Sequence, residues 1–334
     1  MGHILVTGGC GFMGSNFIRS LHARYPEVKV TNLDALTYAA NPENIADIAT
    51  DDWYRFVKGD IADDALVLEL MAQADTVVNF AAETHVDRSI HGNAGDFVRT
   101  NIEGVQTLLE TLRKTTQVRK FIHISTDEVW GDLALDETRR FNEDSPFLPN
   151  SPYAASKAAG DLLARAYART YDLPVVVTHS VNNFGPRQYP EKLIPYLTAR
   201  ALRDEPLPLY GDGLHVRDWL YVDDHSEAVM TVIEKGAPGS VYAISAENER
   251  SNLDIARAIL AALGKPESLI AYVADRPGHD RRYAVDAARL RALGWKPRMP
   301  FEETLAETVQ WYAEHPAALS AVDNRTVNPH ISIA

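Results

Sequence analysis

Tyr153 and Lys157 stand four residues apart in Tyr153-Ala154-Ala155-Ser156-Lys157. On a helix this spacing puts a phenol and an ammonium on one face, one turn from each other. A cation near a phenol favours the phenolate, so Tyr153 is expected to act as a base near neutral pH. A second group precedes it, Ser125-Thr126-Asp127-Glu128. Two adjacent carboxylates are costly to enclose unless each has a partner or a task. They make sense as an acid and a base. A plain reductase or epimerase chemistry needs only the Tyr/Lys pair and a hydroxyl, so Asp127 and Glu128 imply a further proton transfer. The alternative is an Asp127 helix cap beside a solvated Glu128.

The third chemical group is a glycine turn, Gly8-Gly9-Cys10-Gly11-Phe12-Met13-Gly14, with glycines at Gly8, Gly11 and Gly14. Glycines let a backbone approach a pyrophosphate closely, and the following helix offers free N–H groups and partial positive charge. Here the turn follows a strand-like run, opens a helix-like one, and is followed about 20 residues later by Asp34. A carboxylate at Asp34 can accept from both ribose hydroxyls and would repel a 2′-phosphate, so NAD is expected over NADP. The alternative is that Asp34 caps the next turn. Asp60 and Ile61 are placed to meet an adenine, and Ala81 and Ala82 are small where a cofactor would pass close to backbone. Cys10, the one cysteine, is expected to be a packed residue and not a reactive thiol.

Strands must deliver these residues. Short apolar, β-branched runs are expected as strands at Ile4–Thr7, Val28–Leu33, Trp53–Lys58, Thr76–Phe80, Lys120–Ser125 and Val175–Thr178. They alternate with helical segments at Gly14–Arg24, Ala65–Gln73, Phe97–Lys114 and Pro152–Tyr171, the pattern of repeated βαβ units. Their unbroken apolar character is that of strands buried on both faces. The expected fold is an α/β, Rossmann-type doubly wound parallel sheet with a smaller C-terminal substrate-binding lobe. The expected division is 1–184 for the cofactor domain, 185–320 for the smaller lobe with helices at Lys192–Arg203, Leu253–Leu263 and Phe301–His315, and 321–334 for a polar tail. The stretch 211–238 is expected to return to the first domain, with a helix at Tyr221–Glu234.

At 334 residues and 46% hydrophobic, the chain can bury a large core. Its net charge of -13 excludes a nucleic-acid-binding surface, which needs clustered Lys and Arg. A single cysteine leaves no intramolecular disulfide and suits a reducing cytoplasm. No apolar run approaches the ~20 residues that span a bilayer, so no membrane association is expected. No His/Cys cluster has metal-ligand spacing, so no catalytic metal is expected.

Assembled in this order, the residues resemble the extended short-chain dehydrogenase/reductases, and within them the dTDP-glucose 4,6-dehydratases. The resemblance runs from Ile4 to Glu314. It is carried by DALTYA at Asp34, FAAETHVDRS at Phe80, STDEVWGDL at Ser125, SPYAASKA at Ser151, NNFGPRQYPEKLIP at Asn182, YGDGLHVRDWLYVDDH at Tyr210 and DRPGHDRRYAVDA at Asp275. It implies a catalytic set of Thr126, Asp127, Glu128, Tyr153 and Lys157. It implies NAD contacts from Phe12, Met13, Asp34, Thr37, Asp60, Ile61, Phe80, Thr100 and Asn183. It assigns a nucleotide sugar, dTDP-glucose first, to Thr84, Thr126, Asn182, Lys192, Leu193, Pro208, Tyr210, Arg217, Asn252, Arg276 and His279. The cations Lys192, Arg217 and Arg276 suit a diphosphate, although the arginines could also be surface ion pairs. The chain departs from the family's commoner pattern at Thr84, at Trp130 and in Thr178-His179-Ser180-Val181, residues expected to border the sugar.

The implied reaction oxidises carbon 4, eliminates water across carbons 5 and 6, and returns hydride to carbon 6. The alternatives are a UDP-glucose or UDP-N-acetylhexosamine 4,6-dehydratase, a UDP-hexose 4-epimerase, or a catalytically silent NAD-binding protein. The resemblance also implies a homodimer.

Overall fold

In the computed structural model, which describes residues 1–49, 52–276 and 278–320, the apolar runs assemble into one parallel sheet. The tail expected at 321–334 lies outside the described residues. The strands are β1 (His3–Thr7), β2 (Lys29–Asp34), β3 (Tyr54–Lys58), β4 (Thr76–Asn79), β5 (Lys120–Thr126), β6 (Val175–Ser180), β7 (Asn182–Phe184), β8 (Leu207–Tyr210), β9 (Val216–Tyr221), β10 (Val241–Ile244), β11 (Glu249–Ser251) and β12 (Ile270–Val273). The large sheet has the order β10-β6-β5-β4-β1-β2-β3, and each pairing in it is parallel. The order reverses between β1 and β4, which places a ligand crevice beyond their carboxyl ends.

Most of these strands are buried on both faces, as their sequences require. β3 is the exception: it is the sheet edge, and Arg55 and Phe56 face solvent. β10 was not among the expected strands. Its four residues join the sheet by pairing with β6, Val241 opposite Val177.

The helices are α1 (Phe12–Arg24), α2 (Asp64–Met71), α3 (Val86–His91), α4 (Ala94–Val98), α5 (Val105–Leu112), α6 (Pro152–Tyr171), α7 (Leu193–Leu202), α8 (Val222–Lys235), α9 (Asn252–Leu263), α10 (Ala288–Ala292) and α11 (Phe301–Glu314). The single helix expected at Phe97–Lys114 is divided: a π-helical segment, Arg99–Gly104, separates α4 from α5. The wider turn lets the buried Asn101 point sideways. Its side chain bonds the backbone of Glu83 in both directions, at 3.0 and 2.9 Å, and the Ser156 hydroxyl at 2.8 Å.

A smaller lobe forms from β7, β9 and β11 in one sheet, β8 and β12 in another, and α7, α9 and α11. Its core centres on Phe184, Leu197, Trp219, Ile259, Leu305 and Tyr312. Between β9 and β11 the chain leaves this lobe, runs through α8 against α1, forms β10, and comes back.

Candidate active site

The glycine turn is shaped by what it cannot hold. Gly8 has φ +71°, and a Cβ there would meet the Ala81 nitrogen at 2.7 Å. A Cβ on Gly14 would lie 2.4 Å from the Gly8 carbonyl oxygen. The turn and the end of β4 are therefore in direct backbone contact, and no side chain intrudes. α1 begins at Phe12 with no side-chain cap, so its first-turn N–H groups face the cleft without one. Beside the turn, the buried Asp34 carboxylate accepts the backbone N–H groups of Cys10 and Leu36, each at 2.8 Å. Burial raises its pKa, and those two N–H groups pull it back. Cys10 is buried, and burial together with the Asp34 charge pushes its thiol up to about 12.

A cleft of about 300 Å³ runs along the carboxyl ends of β1, β4, β5 and β6. Gly8, Gly11, Phe12, Met13, Gly14, Asp34, Thr37, Asp60 and Ile61 line one end, and Phe80, Ala81, Ala82 and Thr100 the middle. Thr84, Thr126, Asp127, Glu128, Tyr153, Lys157, Asn182, Asn183 and Lys192 line the other. Asp60 is tied by Arg99 at 3.1 Å. Asn183 donates to Ser180 Oγ at 2.7 Å and to the Val181 carbonyl at 2.9 Å. Its own Oδ1 is buried without a partner, an acceptor offered to the cleft. These features fit a dinucleotide carrying a carboxamide: a side-chain-free cradle, free helical N–H groups, a carboxylate for ribose and an orphaned acceptor.

α6 starts where its sequence says it should, with Ser151 accepting the Ala154 N–H and Pro152 in the first turn. Tyr153 and Lys157 thereby share a face, and Lys157 Nζ donates to the Ile124 carbonyl at 2.8 Å. Burial brings Lys157 down to about 8, with Asp161 working against it. The expected lowering of Tyr153 is not seen in the protein alone. Burial raises the phenol, Glu128 and Asp127 add to the rise, and the Thr126 hydroxyl bonded to it opposes them.

Thr126 caps the single turn Asp127–Trp130 that follows β5, accepting the Glu128 N–H at 3.3 Å. Asp127 is 2% exposed and its Oδ2 has no partner. Burial drives its pKa well above the ordinary range, with Glu128 and Asp218 adding to the effect and Arg217 opposing it. Glu128 is raised by burial too, but the cations Lys192, Arg217 and Arg276 pull it back. The two neighbouring carboxyls are thus held in different environments, one poised as an acid and one closer to an anion.

The remaining substrate candidates sit outside the cleft wall. Leu193 follows Lys192 at the start of α7, and Pro208 is buried in β8. Asn252 opens α9 and donates its N–H to the His215 carbonyl at 2.9 Å. Tyr210, Arg276 and His279 cluster, with the Arg276 guanidinium 5.8 Å and the His279 ring 5.7 Å from the Tyr210 ring. Neither arginine is a surface pair. Arg217 is 7% exposed, bonds the Asp280 carbonyl at 2.9 Å and lies over Tyr283; Arg276 pairs with the part-buried Asp87 at 3.0 Å.

Two departures from the expected surroundings stand out. Trp130 and His179 do not border the sugar end of the cleft; both are buried, and they pack edge to face with ring centroids 4.8 Å apart. Thr178 is buried as well, whereas Ser180 and Val181 line the cleft. The structure also gathers His215, Asp275 and His279, residues whose sequence spacing shows no metal pattern. Both rings bond Asp275, at 3.2 and 2.7 Å, and they stack at 3.7 Å and 14°. Both rings turn a nitrogen to the one carboxylate, and the three ligand-type atoms lie within 4.8 Å of one another.

Residues missed by sequence reasoning also face the site. Glu83 and Glu191 line the cleft, and Glu191 accepts from Tyr38 at 2.8 Å. His85 holds φ +80° among Lys192, Arg276 and Arg88, which with burial keep its imidazole neutral. Only its place in FAAETHVDRS, beside Thr84, could have flagged it.

Comparison with known proteins matches residues 5–308 to the family described as GDP-mannose 4,6 dehydratase. A dTDP-glucose 4,6-dehydratase from Xanthomonas campestris pv. campestris (strain B100) is 52% identical over 328 residues, covering 92% of each chain. The structure of a dTDP-glucose 4,6-dehydratase from Streptomyces venezuelae with NAD bound superposes with a TM-score of 0.90 at 46% identity, covering 94% of this chain and 98% of that one. A UDP-glucose 4-epimerase from Thermotoga maritima, solved with UDP-glucose, has a TM-score of 0.86 at 29% identity over 94% of this chain and 99% of that one.

Proposed function

The chain belongs to the GDP-mannose 4,6 dehydratase family, an extended short-chain dehydrogenase/reductase, and from that membership we propose that it acts as a dTDP-glucose 4,6-dehydratase. The observation that carries this reading is the unequal carboxyl pair, Asp127 and Glu128, set against Tyr153 and Thr126 at the end of β5.

The glycine turn, Asp34 and Asn183 would hold NAD, which would supply a two-electron acceptor for carbon 4 and return the same electrons to carbon 6, and whose positive ring would favour the Tyr153 phenolate that burial opposes. Tyr153 removes the proton of the 4-hydroxyl, and Thr126 bonds the same oxygen. The 4-ketone so formed acidifies carbon 5. Glu128, the carboxyl with cations around it, takes that proton. Asp127, kept neutral by burial, gives its proton to the departing 6-hydroxyl, and water leaves; as hydride comes back to carbon 6, Glu128 returns its proton to carbon 5. Lys192, Arg217 and Arg276 hold the diphosphate.

A 4-epimerase needs no base at carbon 5, so the carboxyl pair weighs against that alternative. The larger sheet, to which the chain returns through α8 and β10 at 222–244 and not over the expected 211–238, would carry NAD, and the smaller lobe the sugar nucleotide. Among the described residues no helix is long and apolar enough to cross a membrane, and a nucleotide substrate suits the cytoplasm. Leu162 and Tyr171, 55% and 43% exposed on α6, support a homodimer paired through that helix.

Incubation with dTDP-glucose followed by alkali should give the ultraviolet signal of a 4-keto sugar. Glu128→Gln should still oxidise carbon 4 but fail to eliminate water. Elimination at the normal rate by that variant refutes the assignment, and no signal with dTDP-glucose, UDP-glucose or UDP-N-acetylglucosamine removes the dehydratase reading.

A further inference from the structure

We propose that Asp161, clamped by His123, His179 and Ser125, is a positioning residue that keeps Lys157 a charged ammonium on the face of α6 that carries Tyr153. This rests on the dehydratase reading above.

Asp161 follows Lys157 by one helical turn and is 0% exposed. Its Oδ2 accepts the Ser125 hydroxyl at 2.8 Å and faces His179 Nε2 at 2.9 Å; His123 Nε2 lies 3.3 Å from Oδ1. The clamp continues across the sheet. His123 Nδ1 meets Asn79 Nδ2 at 3.1 Å, and Asn79 Oδ1 accepts the Thr7 hydroxyl at 2.6 Å, at the strand end that runs into the glycine turn. One buried network therefore joins β1, β4, β5 and β6 to α6.

Such a carboxylate is expensive, and apolar residues of similar volume often serve stability as well or better. Burial works to raise Asp161, and the His179 and His123 imidazoles outweigh it, so the group stays an anion. Lys157 feels burial downward and Asp161 upward. The other titratable neighbours are His123 on β5, which faces both Lys157 and Asp161 and which burial keeps neutral, and His179 on β6. Glu128, Asp127 and Asp161 itself each raise Tyr153, so the titration of Lys157, and not kcat alone, reads the effect of Asp161 on the lysine. Asp161 is thus the anion that holds the proton on Lys157.

The test is the titration of Lys157 in the full-length chain, followed by NMR after isotopic labelling of lysine, with its resonance assigned by Lys157→Met. The wild-type midpoint should fall near 8. In Asp161→Asn it should drop by about one pH unit or more, and the alkaline limb of kcat should move down with it while KM for the nucleotide sugar holds. In His179→Asn, which keeps the carboxylate, the midpoint should move much less. A folded Asp161→Asn chain whose Lys157 titrates as in wild type makes Asp161 a structural pin and overturns the proposal. Should that variant fail to fold, Asp161→Leu with His179→Leu is read the same way: a lowered midpoint supports the proposal and an unmoved one overturns it. The titration needs no substrate, so a shifted midpoint in a chain that makes no 4-keto sugar counts against the dehydratase reading alone.

Discussion

Asp34 Oδ2 accepts the Cys10 backbone N–H at 2.8 Å, so the residue expected to select NAD also fixes the shape of the turn that cradles it. Selection and shape are therefore coupled. Asp34→Asn removes the charge and exchanges one acceptor for a donor facing an N–H. Losing a charge-assisted hydrogen bond costs about 1.5–3 kcal/mol, so NAD affinity should fall roughly 10- to 100-fold, with the preference over NADP shrinking in parallel. Isothermal titration with both dinucleotides measures each quantity.

Gly14→Ala should abolish NAD binding more completely than it harms folding. The added Cβ would sit 2.4 Å from the Gly8 carbonyl oxygen, a backbone atom that can yield only by moving the turn off Ala81. Stability should fall by about 1–3 kcal/mol, in the range for overpacking. Melting with and without NAD separates the two effects, since the variant should lose the stabilisation that ligand gives wild type.

Asp127→Asn should make the protein more stable as it removes elimination. In the folded chain the Asp127 carboxyl lies well above its unfolded value near 3.9. The unfolded state thus releases its proton first, and wild-type stability falls as pH rises from about 4 toward the folded value. Asn does not titrate. Its advantage should grow by about 1.4 kcal/mol for each pH unit crossed in that window, seen in melts between about pH 4 and 8. Water loss should slow by about 10²–10⁴-fold.

Arg217, which bonds the Asp280 carbonyl and lies over the Tyr283 ring, lowers both carboxyls of the pair. Replacing it with Met should raise Asp127 and Glu128 together. A base must be ionised to act, so the acid limb of kcat should move to higher pH, and KM for the nucleotide sugar should rise with the loss of a diphosphate cation. A pH profile of kcat and of kcat/KM distinguishes the two.

What the sequence disclosed was local. Gly8, Gly11, Gly14 and Asp34 form a strand-turn-helix-strand signal whose meaning lies in spacing, and Tyr153 with Lys157 follows a Ser-Pro start that fixes the helix register. β10 was not legible because four residues make a strand only where β6 offers a free edge. The π-helical segment at Arg99–Gly104 was hidden because its cause, Asn101 reaching for Glu83 and Ser156, is tertiary. The environment of the carboxyl pair was equally unreadable: Asp218 and Asp280 arrive from beyond residue 210 and add to the rise that burial gives Asp127 and Glu128 respectively. Trp130 and His179, 49 positions apart in the chain, read as two separate oddities beside the sugar. Folded, they are one buried edge-to-face contact away from the cleft wall.

The path through α8 and β10 bears on how such a protein can be re-engineered. The chain visits the small lobe with β7 to β9, returns to the large sheet, and leaves again through β11. A chimaera that swaps the nucleotide-sugar half between relatives as one contiguous cassette would carry away the outermost strand of the cofactor sheet and the helix braced on α1. Viable crossovers must instead be made in pairs, on either side of 222–244, so that the exchanged pieces are discontinuous in the gene though contiguous in space.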